Sequence, residues 1–205
     1  MQQELFDMLG PDEGIQLNMV DADVHYYPSF LLPDQALHYF NLLKHKLEWR
    51  EEQIQLYGKL FKVPRLQAWY GDSEASYCYS NLSMQPNSWT DPLLQLKSLC
   101  EQKARHTYNS VLANLYRDGQ DSMGMHSDNE PELGLEPCIA SLSLGQERTL
   151  IFSHKSSKER IRLPLVSGSL LIMKGKTQKY WQHGIAKTKR PLQARVNLTF
   201  RTIFK

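Results

Sequence analysis

The sequence predicts a mainly β fold, a jelly-roll or barrel with helices packed against one sheet. Three observations lead there. After about Asn109 the chain becomes a succession of short runs in which apolar and polar residues alternate, the period of a half-buried strand. These runs are Ser110–Tyr116, Cys138–Leu144, Thr149–Ser153, Arg160–Leu165, Ser169–Met173, Tyr180–Gly184 and Arg195–Phe204, separated by Gly, Pro and charged turns. Two stretches with helical spacing precede them. The length of 205 residues suits one domain with its own core and leaves little room for two.

Along the chain, residues 1–20 are expected to form an N-terminal tail and 21–205 the single domain. Asp34 is the expected cap of a first helix running to about Leu47, with Leu37, Phe40 and Leu43 at helical spacing. Thr90 or Asp91, with Pro92 in the first turn, starts a second whose face carries Leu93, Leu96, Leu99 and Cys100. Both are packing helices. No internal repeat or low-complexity segment interrupts them.

Apolar residues make up 41% of the chain and charged ones 22%, ordinary globular composition, and no apolar run approaches a bilayer's thickness. No membrane association is expected. The N-terminus lacks a basic segment followed by an apolar one, so a cytoplasmic or nuclear location is expected. Cys78, Cys100 and Cys138 form no CxxC and are expected to be reduced and buried. Charge is unevenly spread. From Ile151 to Lys205 thirteen Lys and Arg face one acid, whereas Met1 to Leu60 holds ten acids against four Lys and Arg. The basic end can attract phosphate, although a solvated basic surface needs no partner.

His126-Ser127-Asp128 follows an expected strand, where an imidazole and a carboxylate two residues apart can meet one cation. His183, in a later strand, is available as a third ligand. Two histidines and one carboxylate on one side of a metal leave the opposite positions open, as in non-haem iron(II) oxygenases, though zinc hydrolysis uses similar ligands. The C-terminal strand separates these readings. In Arg195-Val196-Asn197-Leu198-Thr199-Phe200-Arg201 every odd position is polar and every even one apolar. If the polar face lines a barrel, its two guanidiniums need anionic partners, and a short dicarboxylate would satisfy them. Asn114 and Tyr116 alternate on one face of their own strand and can add neutral hydrogen bonds.

Together, Asn114-Leu115-Tyr116-Arg117, His126-Ser127-Asp128-Asn129-Glu130, Ile139–Gly145, His183 and Arg195–Arg201 resemble the AlkB dioxygenases, in order and in spacing, over about Val63 to Phe204. Pro64-Arg65-Leu66-Gln67-Ala68-Trp69-Tyr70-Gly71-Asp72 resembles the two AlkB branches that handle DNA and RNA in animals, with their bacterial relatives. The resemblance implies a double-stranded β-helix holding Fe(II) on His126, Asp128 and His183. It implies that 2-oxoglutarate contacts Asn114, Tyr116, Arg195, Asn197, Thr199 and Arg201, with the two arginines as its salt-bridge partners. The implied reaction consumes 2-oxoglutarate and O2, hydroxylates an N-methyl carbon on a base such as 1-methyladenine or 3-methylcytosine, and sheds formaldehyde, succinate and CO2. That is direct-reversal repair of alkylated DNA.

On the substrate side, Tyr77 and Tyr79 match family positions that border the base, and Asn129 and Glu130 can bond its exocyclic amine. Tyr57-Gly58 resembles the hairpin tip that pushes an aromatic wedge into duplex DNA in one branch. Gln2-Gln3-Glu4-Leu5-Phe6 resembles the short Gln-x-x-Leu-Phe peptides that dock on bacterial sliding clamps. The chain is expected to act as a monomer. Two alternatives stay open: an RNA-base demethylase of the same chemistry, and a non-catalytic nucleic-acid-binding module.

Overall fold

The computed structural model describes residues 14–56, 59–75, 77–79 and 82–204. The elements run β1 (Ile15–Gln16), β2 (Asp23–Tyr27), α1 (Pro33–Lys46), β3 (Gln53–Leu56), β4 (Lys59–Lys62), β5 (Leu66–Gly71), β6 (Tyr77–Tyr79), β7 (Leu82–Met84) and α2 (Asp91–Ala104). There follow β8 (Ser110–Tyr116), β9 (Met123–His126), a 3-10 turn (Pro131–Leu133), β10 (Ile139–Gly145), β11 (Arg148–His154), β12 (Arg160–Leu165), β13 (Leu170–Lys174), α3 (Thr177–Tyr180), β14 (Trp181–Ile185) and β15 (Arg195–Arg201). Each of the seven expected runs is a strand, to within one or two residues except at the last one's end.

Among the described residues, seven strands form a large sheet in the order β1-β2-β13-β10-β15-β8-β5, and four form a smaller one in the order β12-β11-β14-β9. Their ladders are antiparallel. The central strands of the large sheet, β13, β10, β15 and β8, are buried on both faces. One face packs under the helices, where Leu43, Leu93 and Leu96 meet Ala113, Leu142 and Leu198. The other meets the small sheet, joining Leu171 and Met173 to Leu150, Phe152 and Ile185. This is the jelly-roll of a double-stranded β-helix, with its helices on one sheet.

Several expectations need correction. Ile15–Gln16, placed in the tail, pair with β2, Met19 is buried, and Trp181 Nε1 donates to Val20 O at 2.8 Å. The cap of α1 is Leu32, whose N–H donates to Gln35 Oε1 at 3.1 Å, because Pro33 with its fixed φ starts the helix before Asp34. Asp34 sits in the first turn, where its charge suits the helix dipole. Leu37 and Leu99 are exposed, and the inward faces carry Ala36, Leu43 and Leu47 on α1 and its C-cap, and Leu93, Leu96, Cys100 and Ala104 on α2. Cys100 is buried and Cys138 half-buried, both as free thiols. The side chain of Cys78 and the segment Gln2–Phe6 lie outside the described residues. Among the described residues no helix is long and apolar enough to cross a membrane.

Candidate metal centre

Between the two sheets opens a cleft of about 710 Å³. The large sheet supplies Asn114, Arg195, Asn197, Thr199 and Arg201 to its wall, and the small sheet His126 and His183. The odd positions of β15 face the cleft, while Val196, Leu198 and Phe200 enter the core under the helices.

His126 ends β9 opposite His183 of β14, their ring centroids 4.5 Å apart. Gly184 sets this spacing, since a Cβ there would stand 2.9 Å from Met123 O and force β9 outward. Asp128 follows two residues after β9 has ended, in irregular chain, so its carboxylate meets the histidines without strand pairing to place it. One ligand atom from each of the three lies within 4.8 Å of the others, and His126 Nε2 is 3.6 Å from Asp128 Oδ1. His126 Nδ1 lies 3.0 Å from Gly124 O; a carbonyl only accepts, so Nδ1 is the donor there and Nε2 is the ring nitrogen turned towards Asp128.

The protonation states suit metal binding. Burial alone would raise the Asp128 carboxyl, but the Arg201 guanidinium, aided by His183 and His126, holds it below the usual carboxylate range. Burial, reinforced by His126, pushes His183 down to about 3, leaving a neutral imidazole. Asp128 Oδ1 accepts from Arg201 Nη2 at 2.8 Å, whereas Oδ2 is buried without a hydrogen-bond partner among the described residues. The neutral imidazole of His183, the ring of His126 and an ionised carboxylate with an open oxygen form a donor set that fits a divalent first-row cation.

Arg195 is 1% exposed. Its Nη2 donates to Ser143 Oγ at 3.0 Å and its guanidinium lies 5.0 Å from the Tyr116 ring centre, but Nε and Nη1 find no acceptor among the described residues. Burial pulls this guanidinium below its ordinary value. A buried cation with two open donors in a cleft calls for an anion. The other expected contacts are more engaged. Asn197 Nδ2 donates to Ser141 Oγ and Leu142 O, and Thr199 Oγ1 donates to Asn197 Oδ1. Asn114 Oδ1 accepts from Arg65 Nε and Gln67 Nε2. Tyr116 is fully buried, its ring also 5.6 Å from the Arg148 guanidinium, and stands behind the cleft wall rather than on it. Arg201 instead donates through Nη2 to the Asp128 carboxylate, with its buried Nε finding no acceptor among the described residues, so the two arginines are not equivalent.

Of the expected base contacts, Glu130 lines the cleft with Oε2 buried and unpartnered among the described residues, whereas Asn129 is exposed and off the wall. Tyr57 and Gly58, and the side chains of Tyr77 and Tyr79, lie outside the described residues. The cleft also holds residues that sequence reading did not single out. Arg65, Gln67 and Trp69 alternate with the core-side residues Leu66, Ala68 and Tyr70, and Ser141 with Ala140 and Leu142, while Ser143 on the same face is buried behind it and accepts from Arg195. The alternation seen in β15 is present in both segments and would have found them.

The profile of the family described as the 2OG-Fe(II) oxygenase superfamily matches residues 23–201. The alpha-ketoglutarate-dependent dioxygenase alkB homolog 3 of Mus musculus is 42% identical over 188 residues, 87% of this chain and 65% of that protein. DNA oxidative demethylase ALKBH2 of Bos taurus is 42% identical over 159 residues, 74% of this chain and 57% of that protein. The chain thus spans less than two thirds of the length of these relatives. A solved structure described as "The structure of OsALKBH1" shares the fold, with a TM-score of 0.59 at 18% identity, over 93% of this chain and 100% of that one. With a matched profile over most of its length and a cleft whose donors suit such a site, the chain belongs to the AlkB family of the 2OG-Fe(II) oxygenase superfamily.

Proposed function

We propose that this chain is an Fe(II)- and 2-oxoglutarate-dependent dioxygenase that demethylates N-alkylated bases of the 1-methyladenine and 3-methylcytosine type in DNA, releasing formaldehyde, succinate and CO2. One observation carries the reading: the His126, Asp128 and His183 ligand set shares its cleft with Arg195, a buried guanidinium with two open donors. Iron(II) with 2-oxoglutarate and O2 supplies the oxidant for a methyl C–H bond. The protein's own residues do the rest. His126, Asp128 and His183 hold the metal, and Arg195 takes one carboxylate of the dianion. Arg201 binds Asp128 Oδ1, which leaves Oδ2 to the metal. Leu150, Leu171 and Ile185 line the cleft with apolar surface that excludes water.

A methylated base reaches such a cleft only from a single strand or by flipping out of a duplex. Glu130 gives the entering base an acceptor for its exocyclic amine. DNA is preferred because relatives at about this level of identity are described as DNA oxidative demethylases. Matched DNA and RNA oligonucleotides carrying one 1-methyladenine, compared in competition by mass spectrometry, test this choice. Faster loss of the methyl group from DNA is expected; faster loss from RNA would reassign the enzyme to RNA bases.

A further inference from the structure

The metal carboxylate sits in irregular chain just past β9, not in a strand, so something other than the β-ladder must fix it. Two side-chain hydrogen bonds tie that segment to the junction of α3 and β14. The backbone N–H of Asp128 donates to Gln178 Oε1 at 3.0 Å, and Ser127 Oγ donates to Trp181 O at 2.8 Å. Gln178 is 1% exposed, a fully buried amide. Among the described residues its Nε2 reaches a thioether, Met173 Sδ, at 3.5 Å, so the strong hydrogen bond of the side chain is the one to the ligand residue. The turn that carries it is anchored in turn. Thr177 Oγ1 donates to Lys174 O and accepts from Asp23 N–H of β2, while Lys155, in the turn after β11, holds the other side, its Nζ donating to Gln178 O and its backbone N–H to Tyr180 O.

We propose that Gln178 is a positioning residue for the metal centre, holding the Asp128 backbone so that its open oxygen meets the imidazoles of His126 and His183. The proposal rests on the metal-site reading above. Groups one bond removed from a metal's ligands commonly set its affinity over 10–100-fold. Gln178 acts on the ligand through its main chain, which fixes the placement of the carboxylate while leaving both its oxygens for Arg201 and the metal.

The test measures Mn(II) binding by electron paramagnetic resonance and the visible spectrum of the Co(II)-loaded protein, in wild type, Gln178→Met, Gln178→Glu and Ser127→Ala, each checked for folding by circular dichroism. Gln178→Met keeps length but loses the acceptor, and should weaken Mn(II) binding by about 10- to 100-fold and alter the Co(II) bands. Gln178→Glu keeps an acceptor and should retain or exceed wild-type affinity. Wild-type affinity and spectrum in folded Gln178→Met would overturn the proposal, as would equal loss in both Gln178 variants. If Gln178→Met does not fold, Ser127→Ala decides: weaker Mn(II) binding supports the tethered segment, and unchanged binding overturns the proposal. Absence of Mn(II) binding in the wild type would instead reject the metal site itself.

Discussion

Arg201 donates to Asp128 at 2.8 Å, joining the last residue of the C-terminal strand to the carboxylate of the metal set. That contact divides the labour between the two arginines of β15. Arg201 keeps Asp128 ionised and occupies one of its oxygens, while Arg195, at the strand's other end, has no carboxylate partner among the described residues. The two ends of one polar strand face thus differ, one pairing with Asp128 of the ligand set and the other presenting buried donors without an acceptor among the described residues.

Arg195→Met should separate binding from stability. Removing one partner of a buried, hydrogen-bonded charge pair costs about 2–5 kcal/mol, so the 2-oxoglutarate Kd should rise by about 30-fold or more in calorimetric titration of the metal-loaded protein. The protein without 2-oxoglutarate should melt no lower than the wild type, because an uncompensated buried charge has been replaced by an apolar chain. A large fall in its melting temperature with unchanged affinity would show that Arg195 serves packing.

Gly184→Ala should act on the histidines through the backbone. The new Cβ would press on Met123 O and Gly124 O, at 2.9 and 3.0 Å, and displace β9 from β14. Weaker metal binding is expected, with the far end of the fold intact by circular dichroism; unchanged metal affinity would mean that β9 yields without moving His126.

Leu198→Ala tests the opposite face of the same strand. Leu198 is fully buried, paired with Leu142 on β10 and Ala113 on β8. Its truncation should lower unfolding stability by about 2–5 kcal/mol in urea titration while 2-oxoglutarate affinity in the folded protein stays close to normal.

An acid-dependent contribution to stability should come from Asp121. Burial opposes its ionisation, but the side-chain and backbone donors of Arg117 at 2.8 Å outweigh burial and hold the carboxyl below its ordinary range. A depressed folded pKa stabilises the fold above the unfolded value, about 3.9, and that stabilisation is lost as the pH falls through the folded one. The gap in urea midpoint between wild type and Asp121→Asn should be constant above about pH 5 and should shrink below pH 4. A gap independent of pH would assign Asp121 a role unrelated to its charge.

The strands were legible where alternation is strict, and the reason is visible in β15, whose odd residues meet the cleft and whose even residues meet the helices. The helix faces were less so. Both Leu37 and Ala36 have the spacing to face inward, but the close approach to Gly168, whose Cβ would stand 3.2 Å from that of Ala36, favours the small residue. Sequence brought His126, Asp128 and His183 to one metal but not the means, since Asp128 lies in irregular chain past β9 and is held by an amide fifty residues away on a four-residue turn. Gln178 belongs to no periodic pattern. Tyr116 alternates with Asn114 as a cleft residue would, yet the ring lies behind the wall, close to two guanidiniums.

The central claim is that this cleft uses iron and 2-oxoglutarate to demethylate DNA bases. Its most direct test incubates protein reconstituted anaerobically with iron(II), then exposed to O2, with single- and double-stranded oligonucleotides carrying 1-methyladenine or 3-methylcytosine, with and without 2-oxoglutarate, and follows the methyl group by mass spectrometry. Demethylation that requires 2-oxoglutarate and disappears in His126→Ala is the predicted result. Demethylation that proceeds without 2-oxoglutarate or survives in His126→Ala, or its absence from the iron-loaded wild type on every oligonucleotide, would contradict the claim.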